Sequence, residues 1–315
     1  MVLRDLPPGA LRALAVPFGM LWGSFLNVVI YRLPRDMSVV RPPSHCPGCG
    51  KPIAPYDNLP VLSYVILRGK ARCCGAKMSP RYPIVELLGG LACWAVVDML
   101  LTHMAGSTSL LVAGASFAAN FALILGLIAA AFIDWEHMYL PDSITLGGTA
   151  LGLLTCPLRG EPFAVALFGG ALGFIGVWLP FIVIYKRLRG MAGMGMGDAK
   201  LLMLAGVWGG WFGALFVLLA GALQGTLAAL ALYLAKGKIE EPESVTRDRE
   251  ELKKAAAEGD AEAAQLLADD PIGLGEDEGA PPRIAFGPFL IVAIAEFMFL
   301  GDRILQIARA YYFIQ

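Results

Sequence analysis

Two sets of side chains in this 315-residue sequence have the types and spacing to do chemistry: carboxylates at the ends of apolar runs, and a close group of cysteines. Asp134 closes the run Ser109–Ile133, and Asp198 follows Gly193-Met194-Gly195-Met196-Gly197. A charge at the end of an apolar run is costly and therefore informative. Two carboxylates sharing one site do not ionise together readily, which leaves a base beside an acid. That pair is equipped for peptide hydrolysis: one carboxylate takes a proton from water while the protonated one polarises the scissile carbonyl. It is treated as a dyad, with base and acid unassigned. Gly193, Gly195 and Gly197 remove side chains beside Asp198 and let an extended substrate backbone approach. Taken singly, each aspartate also reads as a helix-end cap or an interfacial charge. Asp142 follows Pro141 at the start of an apolar run and reads as a cap facing a helix N-terminus. Glu136 and His137 are turn residues with a weaker claim. Glu86, inside an apolar run, either pairs with a basic residue or orients a ligand.

Cys46-Pro47-Gly48-Cys49-Gly50 is a knuckle, two thiolates separated by two residues with glycine to turn the backbone, and that geometry suits tetrahedral zinc. Cys74-Gly75 corresponds to Cys49-Gly50 as the end of a second knuckle. The position three before Cys74 is Ala71, and Cys73 stands next to Cys74 instead. Adjacent cysteines both ligate only if the backbone bends to aim both sulfurs inward. The expected set is therefore Cys46, Cys49, Cys73 and Cys74, with His45 or water as a substitute for one sulfur. The alternative is a loop folded by packing, with its thiols reduced. Cys93 and Cys156 lie within apolar runs and read as small buried side chains.

The elements that must position these groups are membrane helices. The sequence is 57% hydrophobic and 16% charged, whereas soluble domains carry roughly a quarter charged residues, so an ordinary soluble enzyme is excluded. Its apolar blocks approach or exceed the roughly 20 residues that span a bilayer. Candidate spans are Leu11–Leu33, Pro83–Leu101, Ser109–Ile133, Ile144–Leu158, Pro162–Tyr185, Ala199–Trp208, Gly210–Ala235 and Ala285–Leu305. The fold class is all-α and polytopic, with about eight transmembrane helices and a cytoplasmic cysteine-containing loop. The first run is long, carries Ser24 and Asn27, and lacks a small-x-small cleavage site, so it reads as a retained helix and not a signal peptide. Around Trp208-Gly209-Gly210-Trp211 the chain forms either two short helices with a tight Gly-Gly turn or one helix and a re-entrant piece.

Net charge is −1, which argues against nucleic acid as the main partner. Between the first two spans lie Arg35, Arg41, Lys51, Arg68, Lys70, Arg72, Lys77 and Arg81 against Asp36 and Asp57, so this loop is expected in the cytosol. Eight spans then put the Asp134 and Asp198 ends on the cytosolic side and both termini outside. Residues 237–283 hold 14 acidic and 6 basic side chains and read as a cytosolic insert. In it, Ser244 is expected to cap a surface helix, with a thin apolar stripe through Leu252, Ala256, Ala263, Leu266 and Leu267, followed by a flexible tether rich in Pro and Gly. The domain reading is a first helix (1–33), the cysteine loop (34–82), a transmembrane protease core (83–236), the acidic insert (237–283) and a last helix with the C-terminus (284–315).

Together these stretches resemble the bacterial type IV prepilin peptidases, leader peptidases that also N-methylate their product. The resemblance runs through Gly23-Ser24-Phe25-Leu26-Asn27, the cysteine loop, Asp57-Asn58-Leu59-Pro60-Val61, and Ser79-Pro80-Arg81-Tyr82-Pro83-Ile84-Val85-Glu86. It continues through Ile133-Asp134 with Leu140-Pro141-Asp142, the Gly-x-Gly-Asp motif ending at Asp198, and Ala285-Phe286-Gly287-Pro288-Phe289. It implies an intramembrane aspartyl protease of the inner membrane, with Asp134 and Asp198 as its dyad, facing the cytoplasm. The implied substrates are prepilins and pseudopilins, cut after a glycine that ends a short basic leader, and the implied methyl donor is S-adenosylmethionine. The sequence departs from the family pattern at Ala71 and in the length of the acidic insert. An ion-coupled transporter using membrane aspartates, and a non-catalytic pilin assembly factor, are the competing classes; oligomeric state is left open.

Overall fold

The structure, a computed structural model, describes residues 2–46, 48–190, 193–236, 243–260, 263–264 and 284–313. Its elements are α1 (Pro8–Arg32), α2 (Leu62–Ile66), α3 (Arg81–Met99), α4 (Leu110–His137), α5 (Asp142–Thr155), α6 (Phe163–Val177), α7 (Tyr185–Arg189), α8 (Met196–Lys236), α9 (Glu243–Ala257) and α10 (Gly287–Phe313). Among the described residues extended pairing is limited to isolated bridges. Among the described residues, five helical stretches are long and apolar enough to cross a membrane, and α10 contributes the shorter apolar stretch Gly287–Gly301. Large apolar side chains such as Leu14, Leu91, Phe168, Leu219 and Leu227 lie on the outside, where a soluble protein would put polar groups. The chain is an all-α polytopic membrane protein.

It divides into two units, residues 1–130 with 150–163, and residues 131–149 with 164–315. In lipid, apolar surface gives helices no reason to associate, so they pair where small residues let backbones approach. In the first unit Gly19 and Gly23 of α1 lie against Gly89 and Glu86 of α3, and a Cβ on Gly23 would sit 2.7 Å from Glu86 Cα. In the second unit Gly169 and Gly173 of α6 lie against the backbones of Gly206 and Leu202 of α8.

The α8 stretch is helical throughout except at Gly210, whose φ of 66° and ψ of −172° break it. A Cβ on Gly173 would touch both Leu202 and Ala214. A straight helix would hold those two residues about 18 Å apart. The chain therefore reverses here, and residues 196–209 and 211–236 are two arms of a hairpin, the first of the two alternatives drawn from Gly209-Gly210. The run after α6 also departs from the α-helix. Residues Trp178–Ile184 form a π-helical turn around Pro180, which has no N–H to give the ladder.

In the insert, α9 runs from Glu243 to Ala257, with Ser244 in its first described turn. The expected stripe residues Leu266 and Leu267, and the Pro- and Gly-rich tether, fall outside the described residues.

Candidate active site

Both aspartates lie in the second unit, and each is placed by the end of a helix. Asp134 is in the last turn of α4, which stops where Met138 takes a left-handed φ of 50°. Its side chain is buried at 6% exposure. Its Oδ2 accepts a hydrogen bond of 3.0 Å from the Gly287 amide at the start of α10. Asp198 is the third residue of α8, half-buried, and its Oδ2 accepts the Gly195 amide at 3.2 Å. The two carboxylates are near enough for their charges to interact. Leu140 fills the space around them: a Cβ on Gly197 would lie 3.0 Å from Leu140 Cβ, and one on Gly287 would lie 3.2 Å from Leu140 Cδ1.

These contacts refine the roles read from the glycines. Gly197 is needed for packing against Leu140, and Gly195 ties Asp198 to the helix start, an N-cap amide bonded to the third-residue carboxylate. Gly193 gives its amide to the Phe181 carbonyl at 2.8 Å. Asp142 opens α5 as expected, and its carboxylate is also held by Lys200 Nζ at 2.6 Å. Asp142 thus differs from Asp134 and Asp198 in having a cation as its recorded partner, where theirs are glycine amides.

Glu86 belongs to the first unit. It is buried, and its Oε2 accepts the Val61 amide at 2.6 Å, with the Ser24 side chain nearby. Its recorded partner is a neutral donor and not the basic residue that was one alternative. Val61 is a β-branched residue at φ 59°, a strained conformation that the Glu86 bond helps to hold. Nothing in the sequence around Val61 announces this bond, since Pro60-Val61 reads as ordinary extended chain.

In the cysteine loop the four sulfurs of Cys46, Cys49, Cys73 and Cys74 all lie within 4.8 Å of one another. Cys46 and Cys74 are 3.6 Å apart and Cys49 and Cys73 are 3.3 Å apart, far beyond a disulfide bond, and all four are free thiols. A tetrahedron with metal–sulfur bonds of ~2.3 Å has edges of about 3.8 Å, so the group fits a metal ion. The backbone shows how Ala71 is accommodated. Gly50 donates to the Cys46 carbonyl and Gly75 donates to the Ala71 carbonyl, each at 2.8 Å, and both glycines have positive φ. Two knuckle turns thus form, with Ala71 in the place of Cys46, and Cys73 supplies the fourth sulfur. His45 Nδ1 instead faces the Pro43 carbonyl, outside the sulfur cluster. The Gly48 amide, followed by the Cys73 thiol, lowers the Cys46 thiol to about 7, whereas the neighbouring side chains of Cys49 and then Cys46 hold Cys73 up at about 12. Asp57 braces the second knuckle through a two-oxygen contact with Arg72 Nε at 2.9 and 3.0 Å.

Comparison with known proteins adds the family. Residues 18–100 match a model described as the bacterial peptidase A24 N-terminal domain, and residues 121–230 match the type IV leader peptidase family. A protein of Neisseria gonorrhoeae is 36% identical over 250 residues, which cover 71% of this chain and 83% of that protein. The chain belongs to the type IV leader peptidase family. A relative from Myxococcus xanthus is 40% identical over 221 residues, 70% of this chain and 62% of its own length, and one from Pseudomonas aeruginosa is 34% identical over 247 residues, 68% and 78%. All three bear the name prepilin leader peptidase/N-methyltransferase. The match with the Myxococcus protein therefore spans under two thirds of that protein. No solved structure matches. Within the family match, the first model covers the Glu86 network and the four cysteines, and the second covers both aspartates.

Proposed function

We propose that this chain removes the basic leader from prepilins and pseudopilins at the cytoplasmic face of the inner membrane, with Asp134 and Asp198 as the catalytic dyad, and then N-methylates the new terminal residue. The observation that carries the reading is that the two carboxylates lie in one unit, near enough for their charges to interact, each anchored by a glycine amide on one oxygen. Among the described residues no hydrogen bond is recorded to the other oxygen of either carboxylate, which suits it to water and substrate.

In the reaction, one carboxylate takes a proton from water, whose oxygen bonds to the scissile carbonyl carbon. The carbonyl oxygen takes the proton of the other carboxyl. Collapse re-forms the C=O bond, breaks C–N, and returns protons so that the nitrogen leaves as an amine. A prepilin suits this site physically, because cutting between a positive leader and an apolar helix spares the hydrogen bonds of the helix in lipid. S-adenosylmethionine would be the co-substrate of the second step: its methyl group would pass from sulfur to the amine nitrogen, leaving the thioether S-adenosylhomocysteine, with one proton lost from the amine.

The orientation follows from the seven basic residues between α1 and α3, with Arg81 opening α3. We count eight crossings by taking α5, the two arms of α8 and α10 each as one. The arm 196–209 and α5 each have 14 residues, about 21 Å of helix, so they are short for a ~30 Å core. α5 opens at Asp142 and the arm carries Asp198 in its first turn, and the shortness of the arm lets water and an extended substrate reach Asp198 below the headgroups. In the loop, Cys46, Cys49, Cys73 and Cys74 would hold zinc, which cross-links distant backbone segments and takes no part in the hydrolysis.

Incubating the purified protein with a prepilin and S-adenosylmethionine, then weighing the product, tests the whole reading. The expected product lacks the leader and carries one methyl group on its new N-terminus. Recovery of intact prepilin from folded protein would sink the peptidase assignment, and a cut but unmethylated product would remove the second half. Deleting residues 240 to 280 and rejoining the ends is expected to leave cleavage within about tenfold, roughly 1.4 kcal/mol in barrier. A deletion variant that inserts normally and cannot cut would instead make the insert part of the site.

A further inference from the structure

We infer that Gly287 is a positioning residue of the peptidase: its amide fixes the Asp134 carboxylate, and only glycine leaves room for that carboxylate to reach it. The inference rests on the reading of Asp134 as a member of the dyad.

The start of α10 can be accounted for amide by amide. A helix leaves its first N–H groups without partners inside the helix. Here Phe289 and Leu290 both give their amides to the Phe286 carbonyl. Pro288 has no N–H. Gly287 is therefore the remaining donor of the first turn, and it donates to Asp134 Oδ2 across 153 residues of chain, at a buried site. The sequence Phe286-Gly287-Pro288 thus concentrates the positive end of a 27-residue helix on one hydrogen bond.

Space makes the same residue selective. A Cβ on Gly287 would lie 2.6 Å from Asp134 Oδ2 and 3.0 Å from its Cγ, and would also press on Leu140 at 3.2 Å. Carboxylate and methyl cannot share that volume. The aspartate would have to rotate away, taking its second oxygen out of register with Asp198. The register of α10 is itself held lower down, where Gln224 Nε2 donates to Glu296 Oε2 at 2.8 Å and Gly221 lies against Leu290. Asp198 differs in this respect, because its donor, Gly195, is only three residues away in the chain. Asp134 alone depends on a helix that returns to the site after the insert.

Two measurements on the full-length protein in detergent or vesicles test this. The first is hydrogen exchange at single-amide resolution in wild type and Asp134→Ala. Loss of the carboxylate is expected to speed exchange at Gly287 by at least about thirtyfold while Phe289 and Leu290 keep their protection. Unchanged exchange at Gly287 overturns the inference even if Asp134→Ala is inactive. An Asp134→Ala protein that cuts normally overturns the dyad reading instead. The second is the kinetics of Gly287→Ala on a prepilin, where kcat is expected to fall at least about a hundredfold with KM within about threefold. A folded Gly287→Ala enzyme whose kcat stays within about threefold of wild type overturns the inference. If that variant does not accumulate folded, the exchange measurement decides alone.

Discussion

Asp134→Ala and Asp198→Ala are each expected to lower leader cleavage by about 10³-fold or more while the protein still inserts and folds, because each removes one half of a proton-exchanging pair. Asn at either position keeps most of the shape and cannot exchange the proton, so it is expected to be as inactive as Ala. Asp142→Asn is expected to retain cleavage within about tenfold. Its loss breaks a partly exposed pair with Lys200, and such pairs contribute roughly 0–1 kcal/mol. The measurement is cleavage of a purified prepilin by each variant, with membrane insertion and melting followed in parallel. An active Asp134→Asn enzyme beside an inactive Asp142→Asn enzyme would reverse the assignment. The contrast is informative because all three acids belong to one unit and open or close apolar helices, so composition alone does not rank them.

The second large effect is expected at the cysteine loop. The purified protein should carry about one zinc per chain, and Cys46→Ser with Cys49→Ser should release it, because two of four ligands are lost. The loop is then expected to become sensitive to protease and to lose ordered structure. Methylation or stability should suffer more than peptide hydrolysis, since both aspartates belong to the other unit. The pH dependence follows from the thiols. Metal binding requires thiolates; Cys46 sits near 7 and Cys73 near 12, so binding at neutral pH expels protons. Zinc affinity should accordingly rise with pH and fall steeply as pH drops below about 7. Elemental analysis after purification without chelator, and competition with a zinc indicator between pH 6 and pH 8, check both parts. Less than about 0.2 zinc per chain with all thiols intact would reject a structural metal site.

How much of this was legible beforehand differs from one residue to the next. The helical, membrane-spanning class was legible, because a bilayer demands long apolar helices and composition reports them directly. The hairpin at Gly209-Gly210 was legible as one of two alternatives. Sequence spacing allows both a turn and a re-entrant piece, and it took the contact of Gly173 with Leu202 and Ala214 to choose. The four cysteines were legible as a group, whereas the bend that brings Cys73 beside Cys49 is set by hydrogen bonds and a positive φ at Gly75, neither of which Ala71 announces. Asp134 and Asp198 were legible as candidates because charge at an apolar end is costly wherever it occurs. Their pairing was also expected, from their shared cytosolic end and the resemblance; the capture of Asp142 by Lys200, the Val61–Glu86 bond and the amide of Gly287 on Asp134 were not legible. Each of these joins residues that are distant along the chain through a hydrogen bond or ion pair, and such bonds depend on the angle and depth at which helices pack. Residue type and local spacing determine which groups are available to react; helix packing decides which of them come within reach of one another.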